Sequence, residues 1–447
     1  MNQTAPVNLT RILSWLAGLI IVLVPFHAFL TVWLSSLVGH YTLLRLWKEF
    51  LLVMLAGGAL YILATDKKQR QKFFSLWTTQ LVFAYFALLL VCGIVALARH
   101  AVSTKAMWYG LLVDSRFLVF FLAILIIAGR DKWLASKRRS LLFAPAILVA
   151  AIAILQFLVL PYDFLKHFGY NQNTIYPYET INHNIHHLRA MSTLRGANPL
   201  GAYLVLPISV LALNIFRDKT GRRDKLMLGA GLLLALGFSF SRSAWLGAAL
   251  ALGLAVWLSF KSLAVRKIIG RWLIGGLIVL CLIFVGLRNN LNFQNAVLHT
   301  DQNSTAKTSS NQGHVTAFKS AAKDIVHQPL GRGVGTAGPQ SVYNNHPGRI
   351  AENYFLQIGQ EAGLIGMILF IWICVSVGHL LYTRRADTLA LALFISLFGI
   401  SLVNLLSHAW SDDTLAYVWW GLAAIALAPI LTDKRKQKNG KKLQGST

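Results

Sequence analysis

Apolar and polar stretches alternate along this chain on a long wavelength. Unbroken apolar runs fall near residues 12–37, 44–64, 76–98, 108–128, 141–161, 198–216, 226–241, 243–260, 271–287, 353–382, 388–406 and 414–432. Each is close to the ~20 residues that carry an α-helix across ~30 Å of hydrocarbon. The runs are continuous rather than alternating, which excludes a membrane β-barrel. The pattern predicts an all-α polytopic membrane protein with about 12 transmembrane helices. The first run is too long for the apolar core of a signal peptide and lacks a small-residue cleavage site, so it reads as a retained span.

The polar intervals are unequal. Two are long, about 162–197 and about 288–352, the second lying before the tenth span. Loops of that length are usually functional or disordered. Within the second, residues 289–313 are polar throughout. The stretch HVTAFKSAAKDIV (314–326) instead sets Val315, Phe318, Ala322 and Ile325 at helical spacing. That spacing predicts an amphipathic helix lying on the outer leaflet. The organisation expected is one transmembrane domain, 1–432, followed by a basic tail, 433–447.

Composition agrees: 56% of residues are hydrophobic and only 13% charged. A soluble protein of 447 residues could not cover its surface with so few charges. The net charge of +26 raises nucleic acid as a partner, but the positions of the cations argue otherwise. Twelve spans with a cytoplasmic N-terminus put 27 of the 42 lysines and arginines on one side, in alternate short loops, near the N-terminus and in the tail. The positive-inside rule makes that side cytoplasmic, facing anionic lipid. Both termini are then cytoplasmic, both long polar segments are external, and ten of the thirteen histidines lie in external loops. Cys92, Cys281 and Cys374 all sit inside apolar runs and read as structural thiols.

Four polar constellations carry candidate chemistry. In FSFSRSAWLGAALAL (238–252), Arg242 sits between two apolar runs. An arginine costs about 2.5–3.5 kcal/mol at the centre of a membrane helix, so it must reach water, an acid or an anion. A guanidinium grips phosphate oxygens bidentately, although an arginine snorkelling to the interface explains the residue equally well. In HNIHHLRAMSTLRGANPLGAYL (183–204), Arg189 and Arg195 precede a helix opening at Asn198-Pro199, whose N-terminus would attract anions. His183, His186 and His187 could in principle hold zinc, but only Glu179 stands nearby as a further ligand, and no metal is expected. In PLGRGVGTAG (329–338), no strand precedes the glycines and no Walker lysine follows them. A flexible turn bearing Arg332 is expected rather than a nucleotide loop. In RIAENYFLQIGQEAGLIGM (349–367), Arg349, Glu352 and Asn353 stand at the outer end of the tenth span, with His346 just before. A carboxylate or imidazole there can deprotonate a hydroxyl, while an acid at a helix N-terminus is also favoured by the helix dipole alone. Glu361, farther along the helix, is expected within the membrane zone facing protein.

Three of these stretches resemble one family, the O-antigen ligase/polymerase group of bacterial integral-membrane glycosyltransferases. RAMSTLRGANPLGAYL is similar to its arginine-plus-NPN segment, SFSRSAWLGAAL to its Ser-Arg corner, and HQPLGRGVG…AENYFLQIGQEAGLIGMILF to the segment closing its large loop. The resemblance covers roughly residues 140 to 380. It implies transfer of a glycan from an undecaprenyl-diphosphate carrier to a glycan, lipid or protein acceptor hydroxyl. The implied site is periplasmic, in the bacterial inner membrane, without cofactor, metal or nucleotide. It further implies Arg189, Arg195 and Arg242 as diphosphate ligands, and Asn353, Arg332 and Arg349 as further substrate contacts. The family's histidine base falls on Glu352, because Asn353, Gly363 and Gly366 fit the rest of its spacing. Either Glu352 or His346 then serves as base. A carboxylate is the weaker base unless desolvated. The departure leaves open a polymerase of O-antigen or exopolysaccharide. A 12-span transporter or flippase is the alternative of a different class, though few ionisable residues fall mid-span beyond Asp114, Arg116 and Glu361.

Overall fold

A computed structural model describes residues 7–181, 184–260, 262–290, 293–294, 310–345 and 347–432. Helices occupy the positions of all twelve apolar runs. Helix α1 (Val7–Leu23) passes through a 3-10 turn at Val24–Phe26 into α2 (His27–Val38). Pro25, which has no N–H to continue the ladder, sits in that turn. The short α3 (Tyr41–Arg45) leads to α4 (Trp47–Thr65), the basic α5 (Lys67–Ser75), α6 (Trp77–Ala98), α7 (Thr104–Ala128) and α8 (Trp133–Leu158). The first long polar segment then forms a small antiparallel hairpin, β1 (Glu179–Ile181) and β2 (Asn184–Arg189), with Glu179 opposite Arg189.

The second half continues with α9 (Ala197–Arg217), α10 (Arg222–Phe238), α11 (Arg242–Ser259) and α12 (Leu263–Leu287). It closes with α13 (Ser310–His327), α14 (Tyr354–Thr383), α15 (Thr388–Leu405), α16 (Asp413–Leu427) and α17 (Pro429–Thr432). Ten helical spans among the described residues are long and apolar enough to cross a membrane, α1–α2 counting as one. The two other predicted spans are α10, of 17 residues, and α12, which carries Arg266, Lys267 and Arg271 in its first half. The fold is all-α, with the hairpin its one sheet among the described residues.

Aromatic packing closes the centre of the bundle. In α16 every residue from Thr414 to Leu427 is buried. Trp410, Trp419 and Trp420 lie 5.0–5.7 Å from one another and pack on Phe117 and Phe121 of α7. Between lipid-like surroundings the contacts that favour helix association are van der Waals contacts of small residues. Helices α11 and α15 meet in that way: a Cβ on Gly247 would lie 2.6 Å from the carbonyl oxygen of Gly399.

Charges inside the bundle are paired. Arg116 of α7 bonds Asp413 at the start of α16, and Lys48 of α4 lies 3.2 Å from Asp413 and 3.0 Å from Glu49. His27 is 3.5 Å from the same aspartate. The expense of an intramembrane cation is met by its own acids.

One interruption positions the functional end of the molecule. At Gly363, α14 breaks, with φ +70° and ψ −174°. The glycine-rich segment 329–338 fills the break. Leu364 N–H donates to the Pro329 carbonyl (2.8 Å), while Arg332 and Gly333 N–H donate to the carbonyls of Gln360 and Glu361 (both 2.8 Å). A Cβ on Gly363 would meet the Pro329 oxygen at 2.3 Å. The segment is therefore not the flexible turn that its glycines imply in isolation. Its backbone amides cradle a side chain of the protein itself: Glu361 Oε1 accepts from Gly335 N–H (2.8 Å), Ala337 N–H (3.3 Å) and Gln340 Nε2 (2.9 Å). Glu361 is fully buried, as its position in the sequence predicts. Its other oxygen, Oε2, is buried without a hydrogen-bond partner, as is Asp114 Oδ2.

Candidate functional site

A cavity of about 600 Å³ opens at one end of the bundle. Three of the predicted residues line it: Arg189, Arg242 and Glu352. Local folding explains how positions so far apart in sequence converge. Strand β2 is sewn to the corner between α10 and α11: Ala190 N–H donates to the Phe238 carbonyl (2.8 Å), and Arg189 Nε to the Ser239 carbonyl (2.9 Å). The corner turns sharply because Phe240 takes φ +48°, and Arg242 opens α11 immediately after it.

Arg189 is well anchored. Its Nη2 donates to Asn198 Oδ1 (2.6 Å), and Nη1 lies 3.7 Å from Glu179. Burial pulls the guanidinium below its ordinary value and Glu179 opposes this, but an arginine so placed remains a permanent cation. Glu179 also accepts from Ala197 N–H at the first turn of α9 (3.1 Å). Helix α9 thus starts at Ala197 with Gly196 before it, one residue ahead of the predicted Asn-Pro cap, and the anion at its N-terminus is the protein's own carboxylate. Asn198 serves Arg189 instead of capping.

Glu352 enters from the other side. It has φ +51°, a conformation that non-glycine residues adopt at a cost of about 1–3 kcal/mol and that gathers at functional sites. The next residue, Asn353, holds the chain: its Oδ1 accepts from Leu356 N–H (3.0 Å) and its Nδ2 donates to the Leu405 carbonyl (2.9 Å). Asn353 is buried and caps α14; it does not face the cavity. Glu352 Oε2 lies 3.7 Å from His314 Nδ1 and 3.9 Å from His408 Nδ1. These distances allow charge interaction but are too long for hydrogen bonds. Burial lowers the His408 pKa, Arg195 and His314 add to this, and Glu352 opposes it. His408 is therefore biased toward the neutral imidazole.

Helix α13 roofs the cavity. His314, Val315, Phe318 and Lys319 all face it. The helix is pinned rather than simply laid on a leaflet: Asp324 binds Arg332 Nη2 (2.6 Å) and Gln360 Nε2 (2.8 Å), and Ile325 is buried against Gly359 of α14. The other walls are apolar, from Phe240, Leu246, Leu405 and Leu406, and the last three are substantially exposed at the rim.

The remaining predicted residues fall elsewhere. Arg332 is held by Asp324 and lines no described cavity. Arg349 lines a separate cavity of about 400 Å³ behind α13, with Gln360 and Ser320. Arg195 lines a third cavity of about 300 Å³, with Tyr41, Arg45, Tyr109, Tyr343 and Asp412. His346 lies outside the described residues, as does His183. Among the described residues no group of three or more His, Cys, Asp or Glu is arranged to hold a metal. Sequence reasoning did not single out Lys319 and His408. Lys319 follows Phe318 on the amphipathic helix. His408 was visible only as a histidine just beyond the eleventh span.

Phosphate chemistry suits the first cavity. Two guanidiniums and an ammonium line a space with apolar walls, and a carboxylate flanked by imidazoles stands beside them. A family model described as O-antigen ligase matches residues 227–371. That stretch carries Arg242, His314, Lys319 and Glu352. No curated protein matches the chain.

Proposed function

From the match of residues 227–371 to the O-antigen ligase family, we propose that the chain transfers a glycan from an undecaprenyl-diphosphate carrier to an acceptor hydroxyl in the 600 Å³ cavity. The observation that carries this reading is the convergence of Arg189, Arg242, Lys319 and Glu352 on one cavity. The exposed rim of Leu246, Leu405 and Leu406 suits an isoprenoid chain arriving from the bilayer, with the site at the periplasmic face of the inner membrane.

The acceptor hydroxyl attacks the anomeric carbon of the donor sugar. The bond from that carbon to the diphosphate oxygen breaks, and the electron pair leaves with the diphosphate. Arg189, Arg242 and Lys319 stabilise the charge that develops there, which preorganised cations do best in a site of low dielectric. Glu352 takes the hydroxyl proton, with His314 and His408 beside it to orient the group and share the charge. Holding donor and acceptor together supplies much of the remaining rate. A transporter would need a path through the middle of the bundle, where the tryptophans and phenylalanines of α7 and α16 pack.

The test is turnover by the purified protein, reconstituted in vesicles with a labelled undecaprenyl-diphosphate glycan. Arg242→Ala should lower the rate by about 10²–10³, the usual worth of one charge-stabilising donor. Glu352→Gln should lower it by about 10²–10⁴. Full activity in Arg242→Ala would remove the diphosphate assignment. Full activity in Glu352→Gln would move the base to a histidine.

A further inference from the structure

The third cavity, lined by Tyr41, Arg45, Tyr109, Arg195 and Tyr343, has no role in the mechanism above. Its lining draws on the same two segments as that of the first: Arg195 lines the third cavity and Asn198, three residues on, lines the first; Ser411 lines the third and Ser407 the first. The charge of Arg195 reaches His408, which stands 3.9 Å from Glu352. A molecule seated in the third cavity therefore lies near the group that takes the proton.

The lining has the chemistry of a saccharide subsite. Tyr109 and Tyr343 meet edge to face at 5.3 Å, and Arg45 lies over Tyr109 at 5.0 Å from its ring centre. Aromatic rings bury the C–H faces of sugars, while Thr31, Thr174 and Ser411 offer hydroxyls. The volume, about 300 Å³, is at the small end for ligand pockets. Charge narrows the class further. Arg116 is consumed by Asp413 and Glu49. Arg195 is exposed and, among the described residues, makes no hydrogen bond or ion pair; its charge reaches Asp412 and His408 only at longer range. An exposed, unspent guanidinium lining an aromatic-walled cavity calls for an anionic group on the ligand.

We propose that this cavity binds the acceptor of the transfer reaction through a saccharide that bears an acidic group, carboxylate or phosphate, held by Arg195. The proposal rests on the transferase reading for the word acceptor, but the binding site can be tested apart from turnover.

The purified full chain is titrated with methyl glucuronide, glucose 6-phosphate and neutral methyl glucoside, with binding followed by ligand-observed NMR. At least one acidic sugar should bind at least about tenfold more tightly than the neutral one, a difference within reach of one charge-assisted contact. Which acid wins decides between carboxylate and phosphate. Arg195→Gln should erase that preference without altering the neutral sugar, and Tyr343→Leu should weaken all three. Arg242→Ala, in the first cavity, should leave the binding intact. The proposal is overturned if no probe binds at millimolar concentration, if the acid preference survives Arg195→Gln, or if it is lost in Arg242→Ala. A protein that binds acidic sugars through Arg195 but transfers nothing overturns the transferase reading and keeps the saccharide site. One that transfers without any such preference overturns the site alone.

Discussion

Replacement of Glu361 by alanine probes how the glycine-rich segment is held. Three buried donors converge on one oxygen of this carboxylate, at 2.8, 2.9 and 3.3 Å. A buried donor left without an acceptor costs about 1–3 kcal/mol. Counting the contacts at 2.8 and 2.9 Å in full and the longer one at the low end, Glu361→Ala should lower the free energy for undocking segment 329–338 by about 3–7 kcal/mol. The undocked population would rise by about 10²–10⁵, at tenfold for each 1.4 kcal/mol. Trypsin reads this directly, because Arg332 is held by its own N–H on the Gln360 carbonyl and by Asp324. Where opening and closing are faster than cleavage, the cleavage rate follows the open population. Fragments ending at Arg332 should appear correspondingly faster from Glu361→Ala than from wild type. Glu361→Gln keeps an oxygen in the cradle, so it should stay within about tenfold of wild type. Wild-type resistance in the alanine variant, or equal sensitivity in both variants, would refute the cradle as the anchor of this segment.

Two further expectations concern the same end of the bundle. Burial, reinforced by Asp413, raises Asp412 from 3.8 to about 6. The folded state thus keeps a proton that the unfolded state releases, and stability falls as pH climbs from about 4 to about 6. Asp412→Asn, still able to cap α16, should flatten that decline and add about 1–2 kcal/mol at neutral pH once solvent screening is allowed for; an unchanged pH profile of thermal unfolding would contradict it. Gly363→Ala places a methyl 2.3 Å from the Pro329 oxygen at φ +70°, so it should cost at least about 2 kcal/mol. That loss should appear as a lower unfolding temperature in detergent and the same early cleavage at Arg332; a variant as stable as wild type would show that the break can be remodelled freely.

Hydropathy alone located the long helices, because crossing a bilayer demands a length and composition that few other elements need. Even the adjoining runs 226–241 and 243–260 appear as two helices. Arg242 and Glu352 stood out for a related reason: charges at the ends of apolar helices must have a partner. Other features hinge on tertiary pairing, which leaves little local trace. Nothing in the spacing of Gly331, Gly333 and Gly335 says that Gly333 N–H meets the backbone, and Gly335 N–H the carboxyl, of a glutamate 26 residues downstream of the last of them. Arg332 and Arg349 looked equivalent to Arg242 by residue type, yet Asp324 claims the first and the second faces the far side of α13. His408 became a candidate only once the loop before α16 was seen folded against Glu352. The two-residue offset between Glu352 and the buried Tyr354 likewise carries no pattern of its own.

The pairing of Arg116 and Lys48 with Asp413 has a consequence for biogenesis. Both cations belong to helices made early, while their shared acid arrives only with the last long helix of the chain. Until Asp413 is made, Glu49 is the one of these two acids that can answer both cations. Docking of α16 is thereby also the step that completes their neutralisation.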